Sequence, residues 1–338
     1  MAKSVVISGY YGFKNFGDEA ILSSLISHLK SEKHHITVIS SDPQYTKNKF
    51  QNIQSSKTFD IQNIIKHIQK SDILISGGGS LLQDATSLKS LLYYLFIIFI
   101  ALFFKKKVII FAQGIGPINS KFGAFITRNI LKHCSYISVR DENSQQLLRQ
   151  WNIDSDLVCD PIFSLNINKK PKKKILAVQL RDFKTITDDF INKLTDKIFE
   201  EFKDFPVRVY PFQQAIDTKI CDKFINRYKN LNPDGDIELA KILTDEQLVN
   251  EISECEYLIA MRFHAIIIGI ISEVKTLGIN YDIKVKKICD EFDLPCIDID
   301  GDFSNEFSKL KEINIEKIKE TASEKHFDWS KFDKTLNR

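Results

Sequence analysis

Arg181, Arg262, His264 and Lys284 are the residues of this 338-residue chain best suited to gripping a small, densely charged anion. Each comes just after an apolar run that reads as a buried strand: Val178-Gln179-Leu180 before Arg181, Tyr257-Leu258-Ile259-Ala260 before Arg262 and Thr276-Leu277-Gly278-Ile279 before Lys284. An arginine at such a place offers a planar fork to carboxylate or phosphate, or else closes a structural ion pair with Asp or Glu. Arg262 and His264 are two residues apart, so they face one side of an extended loop but diverge on a helix. A loop that turns helical at about His264 lets both serve one ligand. Arg140 also follows a strand, Ser138-Val139, with Asp141 and Glu142 beside it as alternative partners.

A second group of residues is rich in glycine. Val5-Val6-Ile7 runs through Ser8-Gly9-Tyr10-Tyr11-Gly12-Phe13-Lys14-Asn15-Phe16-Gly17 into the acidic helix start Asp18-Glu19. Ser76-Gly77-Gly78-Gly79-Ser80-Leu81-Leu82-Gln83-Asp84 and Ala112-Gln113-Gly114-Ile115-Gly116-Pro117 follow two further strands. Glycine permits positive φ and close backbone approach to a ligand, and equally serves tight turns and close helix packing. The first loop lacks the G-x-G-x-x-G spacing of a dinucleotide-binding turn, which disfavours a nicotinamide enzyme. Tyr10, Tyr11 and Phe13 suit a sugar face or the support of the loop itself.

The elements that must position these residues alternate between β-branched runs and helical patterns, which predicts α/β architecture with parallel sheets. The alternation lapses once, in the polar, basic stretch 166–174, which reads as a linker. The expected organisation is a domain at 1–165, the linker, and a domain at 175–338, facing each other across a cleft. Lys, Glu, Ile and Leu at helical spacing over 304–325 predict a closing amphipathic helix.

Composition narrows the function classes. With 47 Lys plus Arg against 44 Asp plus Glu the net charge is +3, too small to point to nucleic acid. The six cysteines show no C-x-x-C pair and no His cluster at ligand spacing, so neither a metal site nor a disulfide framework is expected. The amino terminus lacks the h-region of a secretory signal, and a cytoplasmic protein is expected. Leu91 to Phe104, LLYYLFIIFIALFF, is flanked by Lys89 and Lys105-Lys106-Lys107. Fourteen residues fall short of the roughly 20 needed to span a bilayer, which leaves a core or partner-covered helix or contact with the inner membrane surface.

Taken together, Gly9-Tyr10-Tyr11-Gly12 with Asn15 and Gly17-Asp18-Glu19-Ala20, Gly77-Gly78-Gly79-Ser80-Leu81-Leu82-Gln83-Asp84, Gln113-Gly114-Ile115-Gly116-Pro117, Val139-Arg140-Asp141, Asp160-Pro161, Arg262-Phe263-His264-Ala265 and Gly278-Ile279-Asn280-Tyr281-Asp282-Ile283-Lys284 resemble, in order, the polysaccharide pyruvyl transferases of the CsaB type. Phe263 stands where Leu is common, a departure that leaves the basic residues intact. The resemblance implies a GT-B-like fold of two Rossmann-like domains. It also implies transfer of a pyruvyl group from phosphoenolpyruvate to a sugar, N-acetylmannosamine ketalised at O4 and O6, on a cell-envelope polysaccharide or its polyprenyl-linked precursor.

Carried over residue by residue, the resemblance puts Arg140, Arg181, Arg262, His264 and Lys284 on phosphoenolpyruvate, with His264 and Asp18 as catalytic residues. Gly9, Tyr10, Tyr11, Gly12, Asn15, Asp18, Gly78, Gly79, Gln83, Gln113 and Gly114 fall on the acceptor side. Phosphoenolpyruvate is a co-substrate, and neither cofactor nor metal is implied. The rival readings are a nucleotide-sugar glycosyltransferase of the same fold and a non-catalytic polysaccharide-binding protein.

Overall fold

Runs such as Val5-Val6-Ile7 and Ile73-Leu74-Ile75 are apolar at every position because both faces of their sheet are covered, and all six side chains are fully buried. The computed structural model describes residues 2–165, 167, 169–241 and 244–337. It divides into two units, Met1–Ser164 with His326–Arg338, and Leu165–Lys325.

The first unit runs β1 (Ser4–Ser8), α1 (Phe16–Ser31), β2 (His35–Ser40), α2 (Pro43–Lys49), β3 (Gln54–Lys57), α3 (Ile61–Lys70), β4 (Ile73–Ser76), β5 (Gly79–Leu82), α4 (Leu88–Phe103), β6 (Lys107–Ile115), α5 (Lys121–Leu131), β7 (Tyr136–Val139), α6 (Glu142–Gln150) and β8 (Asp156–Leu157). Its strands pair in parallel in the order β3-β2-β1-β4-β6-β7-β8, with β5 branching from β6.

The second unit runs β9 (Lys173–Gln179), α7 (Asp188–Phe202), β10 (Val207–Val209), α8 (Gln214–Leu231), β11 (Ile237–Leu239), α9 (Asp245–Ser253), β12 (Cys255–Ala260), α10 (Phe263–Ile271), β13 (Lys275–Asn280), α11 (Ile283–Glu291), β14 (Cys296–Asp298), α12 (Ser304–Glu312) and α13 (Ile315–Ser323). Its six parallel strands lie in the order β11-β10-β9-β12-β13-β14. Numbered within the unit, that is the doubly wound order 3-2-1-4-5-6. The direction in which successive strands are added reverses between β9 and β12, and in the first unit between β1 and β4. Loops after these strands border the crevice where sheets of this kind take ligands.

Three expectations about organisation change. Within the stretch read as a linker, Asn166 and Asn168 lie outside the described residues, and Lys173 and Lys174 already belong to β9. The closing helix of 304–325 is two helices, because Asn314 stops the run and caps α13 by accepting from the Glu316 N–H at 3.0 Å. The tail, assigned from sequence to the second domain, returns to the first as α14 (Ser330–Asn337). Phe111 of β6 is fully buried against Phe327 and Trp329, with ring centroids 5.0 and 5.4 Å apart. Trp329 also stacks on His28 of α1 at 3.8 Å, and His28 Nε2 lies 2.6 Å from Asp333. The apolar residues of the tail cover one face of the first sheet. Among the described residues no helix is long and apolar enough to cross a membrane.

Candidate active site

Arg181 lies two residues beyond β9, and its backbone N–H meets Met261 Sδ beyond β12 at 3.2 Å. Its guanidinium lies beside an edge-to-face aromatic pair, 5.3 Å from the centroids of both Phe183 and Tyr281, which are 5.1 Å from each other, and Nη1 donates to the Tyr281 hydroxyl at 2.8 Å. Cation–π attraction and the hydrogen bond to Tyr281 hold the fork in place without neutralising its charge. Among the described residues no carboxylate lies within ion-pair reach of Arg181, and its Nε is buried without a hydrogen-bond acceptor. A desolvated cation with an idle donor is costly unless a ligand completes it. Burial pushes the Tyr281 phenol up while Arg181 and Arg262 pull it down. Both cations therefore act on one spot at the carboxyl ends of adjacent strands.

Arg262 is the N-cap of α10, extended at φ −74 and ψ 133, so the chain turns helical at Phe263 as the loop-into-helix reading requires. Its backbone N–H donates to Gln179 Oε1 at 2.7 Å, tying β9 to β12. Its side chain is a bidentate partner of Asp217, which is fully buried in the first turn of α8. Sequence reading found no carboxylate beside this arginine. Asp217 comes from an ordinary helical stretch forty-five residues earlier and gives no local signal.

His264 is half-buried at the second position of α10, its ring 5.4 Å edge-on to that of Phe263. The amino end of α10 carries the partial positive charge of the helix dipole, which favours an anion there. Lys284 stands in the first turn of α11, its Nζ 3.6 Å from the N-cap Asp282 and its side chain exposed. Arg181, Arg262, His264 and Lys284 thus follow the neighbouring strands β9, β12 and β13. Arg140 follows β7 in the first unit, with Nη1 donating to Asp160 at 2.7 Å and Nη2 to Ser80 Oγ at 3.3 Å.

In the first unit the loops after β1 and β4 meet through Tyr11. Its ring is fully buried. A Cβ on Gly9 would lie 2.3 Å from that ring, and one on Gly77 would lie 2.0 Å from its hydroxyl. A Cβ on Gly78 would meet Ile21 Cγ2 at 2.6 Å. These glycines make room for Tyr11 and Ile21, and Tyr11 is a wedge between loops rather than a surface for a sugar. Burial, with Asp18 and Glu19 adding to it, holds the Tyr11 phenol well above its ordinary range. Gly12, at φ +78, donates its N–H to the buried Glu19 at 2.7 Å, and Lys49 Nζ lies 3.0 Å from the other oxygen of that carboxylate. Glu19 therefore supports the loop.

Asp18 sits nearly buried in the first turn of α1, where Asn15 Nδ2 donates to its Oδ2 at 2.5 Å. Gly79, at φ +93, passes so close that a Cβ there would lie 2.5 Å from Asp18 Oδ1. Gln113 is fully buried, its amide holding Ser76 Oγ at 2.8 Å and the Gly77 carbonyl at 2.9 Å, so it braces the glycine loop from behind. Gly114 packs on Ser80. Gln83 turns back on Thr86 within its own turn. Tyr10 and Phe13 stack in parallel, 4.0 Å apart and 5° from coplanar, at the partly exposed side of the loop. Among the described residues no group of His, Cys, Asp and Glu can hold a metal ion.

The fold is shared with nucleotide-sugar enzymes. UDP-GlcNAc 2-epimerase from Methanocaldococcus jannaschii superposes with a TM-score of 0.65 at 15% identity, over 93% of this chain and 92% of that one. A glycosyltransferase from Rickettsia africae gives 0.62 at 14% identity over 95% and 93%. UDP-GlcNAc 2-epimerase from Neisseria meningitidis gives 0.60 at 10% identity over 96% and 95%. These likenesses establish a GT-B fold of two Rossmann-like domains. A search of curated protein sequences returned no significant match. The family model of the polysaccharide pyruvyl transferases matches residues 15–283, from the Asn15 cap of α1 to the start of α11, and the chain belongs to that transferase family.

Proposed function

We propose that this protein uses phosphoenolpyruvate as donor and forms a cyclic pyruvate ketal on a sugar of a cell-envelope polysaccharide or its lipid-linked precursor, with N-acetylmannosamine ketalised at O4 and O6 as the acceptor. Arg181 carries the reading. A half-buried guanidinium resting against the Phe183–Tyr281 ring pair, with Nε unused and no carboxylate in reach among the described residues, is a receptor for a compact anion. Phosphoenolpyruvate brings up to three negative charges on a small frame. Arg262, His264 and the amide end of α10 add donors beside the same strands, and Lys284 adds a mobile charge.

A proton is delivered to the methylene carbon, C2 takes on oxocarbenium character, and one sugar hydroxyl adds to it. Phosphate departs with the C2–O electron pair and the second hydroxyl closes the ring. Of the two hydroxyl protons released, one balances the proton now on the methyl carbon and the other leaves with phosphate. His264 is assigned as the acid or as the stabiliser of departing phosphate, and Asp18 as the base or sugar-orienting carboxylate. The Tyr10–Phe13 stack offers a flat apolar face to a sugar ring. Incubation with phosphoenolpyruvate and an acceptor ending in N-acetylmannosamine should release phosphate only when both are present, with an acceptor mass gain of one pyruvate less one water. Release of a nucleotide from a nucleotide sugar instead would replace this reading with glycosyl transfer.

A further inference from the structure

Helix α4 buries Leu91, Leu95, Ile98 and Ala101 against the first sheet. Its other side turns Phe96, Phe99 and Phe103 outward at helical spacing, the last two 50% and 67% exposed. The neighbouring α5 presents Phe122 and Phe125 one turn apart, 59% and 67% exposed. Phe59, just before α3, leans on Tyr93 of α4 with ring centroids 4.8 Å apart. The crossovers through α3, α4 and α5 all step the same way across the sheet, so right-handed connection places the three helices on one face, and their inner residues share one core. Six phenylalanines therefore stand on the outer side of one helical layer, an exposure of large apolar side chains that marks a surface for interaction.

Charge says what covers it. From Ala85 to Arg140 there is no Asp or Glu, against eight Lys and Arg, and Lys89, Lys105 and Lys121 are exposed at the ends of the two helices. A second copy seated on this surface through a two-fold axis would bring lysines against lysines. An anionic lipid surface meets both features at once. The sixteen residues of α4 extend about 24 Å, short of a ~30 Å hydrocarbon core, and one side of the helix is already committed to the sheet. It can lie along an interface and cannot span.

We propose that the outer face of the α3–α5 layer docks on an anionic bilayer surface, with Phe99, Phe103, Phe122 and Phe125 entering the headgroup region and the flanking lysines meeting lipid phosphates. The proposal is independent of the reaction catalysed. Co-sedimentation with phosphatidylcholine vesicles, with and without phosphatidylglycerol, tests it directly. Binding is expected to the anionic vesicles, to weaken with added salt, and to fall at least about tenfold in Phe99→Ser/Phe103→Ser. Both positions are exposed, and an unchanged thermal melt of that variant checks its fold. A Lys89→Gln/Lys105→Gln/Lys121→Gln variant, carrying no change in the core, should lose the preference for anionic lipid. Absence of vesicle binding, or equal binding by wild type and the phenylalanine variant, overturns the proposal. A dimer in sedimentation velocity that the phenylalanine variant dissociates also overturns it and gives the face to a second copy.

Discussion

Arg262 and Asp217 form a bidentate ion pair, Nε to Oδ2 at 2.9 Å and Nη2 to Oδ1 at 2.8 Å, with the carboxylate fully buried. Asp217 also accepts the Gln213 N–H at 2.9 Å, so it ties the start of α8 to the loop after β12. Two edges of the guanidinium are spoken for. Nη1 carries no hydrogen bond among the described residues and is the nitrogen that remains for a ligand. Asp217→Ala strands a buried cation and should cost about 3–5 kcal/mol in denaturant unfolding. Asp217→Ala combined with Arg262→Met should recover a large part of that loss, and an additive double variant would show that the two do not act as a pair.

Arg181 behaves oppositely because among the described residues it has no ion pair to lose. Arg181→Lys keeps the charge but forfeits the planar fork and the hydrogen bond that positions it on Tyr281. We expect the KM for phosphoenolpyruvate to rise about 10- to 100-fold, equivalent to roughly 1.4–2.8 kcal/mol, with little change in thermal stability. A normal KM in that variant would remove Arg181 from the donor site.

Gly79 is poised over Asp18. Gly79→Ala must accommodate a left-handed φ of +93° and a Cβ 2.5 Å from the carboxylate oxygen. Strain of about 1–3 kcal/mol is expected, together with a fall in kcat from displacement of Asp18. Substitution with full activity and unchanged melting would place the loop outside the reaction.

His34 should make the first unit acid-sensitive. Its Nδ1 accepts the Lys3 backbone N–H at 3.1 Å, which requires the neutral ring, and Nε2 is buried without a hydrogen-bond partner among the described residues. Burial lowers its pKa below the ordinary histidine value. The unfolded chain then binds a proton more readily than the folded one, so stability rises with pH through the interval below about 6.5 and is lost as pH falls through it. Thermal melts between pH 5 and 7 should show a steeper acid loss for wild type than for His34→Gln. Parallel profiles would contradict the assignment.

How much was legible from residues alone differs between elements for a physical reason. Central strands announced themselves because burial on both faces demands unbroken apolar runs, as in Val5–Ile7, Ile73–Ile75 and Tyr257–Ala260. The strands that gave no signal, β3 (Gln54–Lys57), β8, β11 and β14, are short edge strands whose partly solvated faces tolerate Gln, Ser, Lys, Asp and Glu. The helical periodicity of 304–325 is visible in the sequence, but periodicity alone does not mark the cap at Asn314 that divides it. The tail was misassigned because sequence order says nothing of which sheet an aromatic cluster such as Phe327, Trp329 and Phe332 will cover.

By itself the sequence determined the alternation of strand and helix, and with it the rule that chemistry gathers after strand ends. Local spacing was enough for the family motifs and for the extended placement of Arg262 before α10. Tertiary structure alone decided which charges are spent. It paired Arg262 with Asp217 and Arg140 with Asp160, and left Arg181 beside the Phe183–Tyr281 ring pair without a carboxylate among the described residues. It also filled the space beside Gly9, Gly77 and Gly78 with Tyr11 and Ile21. Ion pairing and packing depend on distances between residues far apart in the chain, and those distances exist only once the sheets have formed.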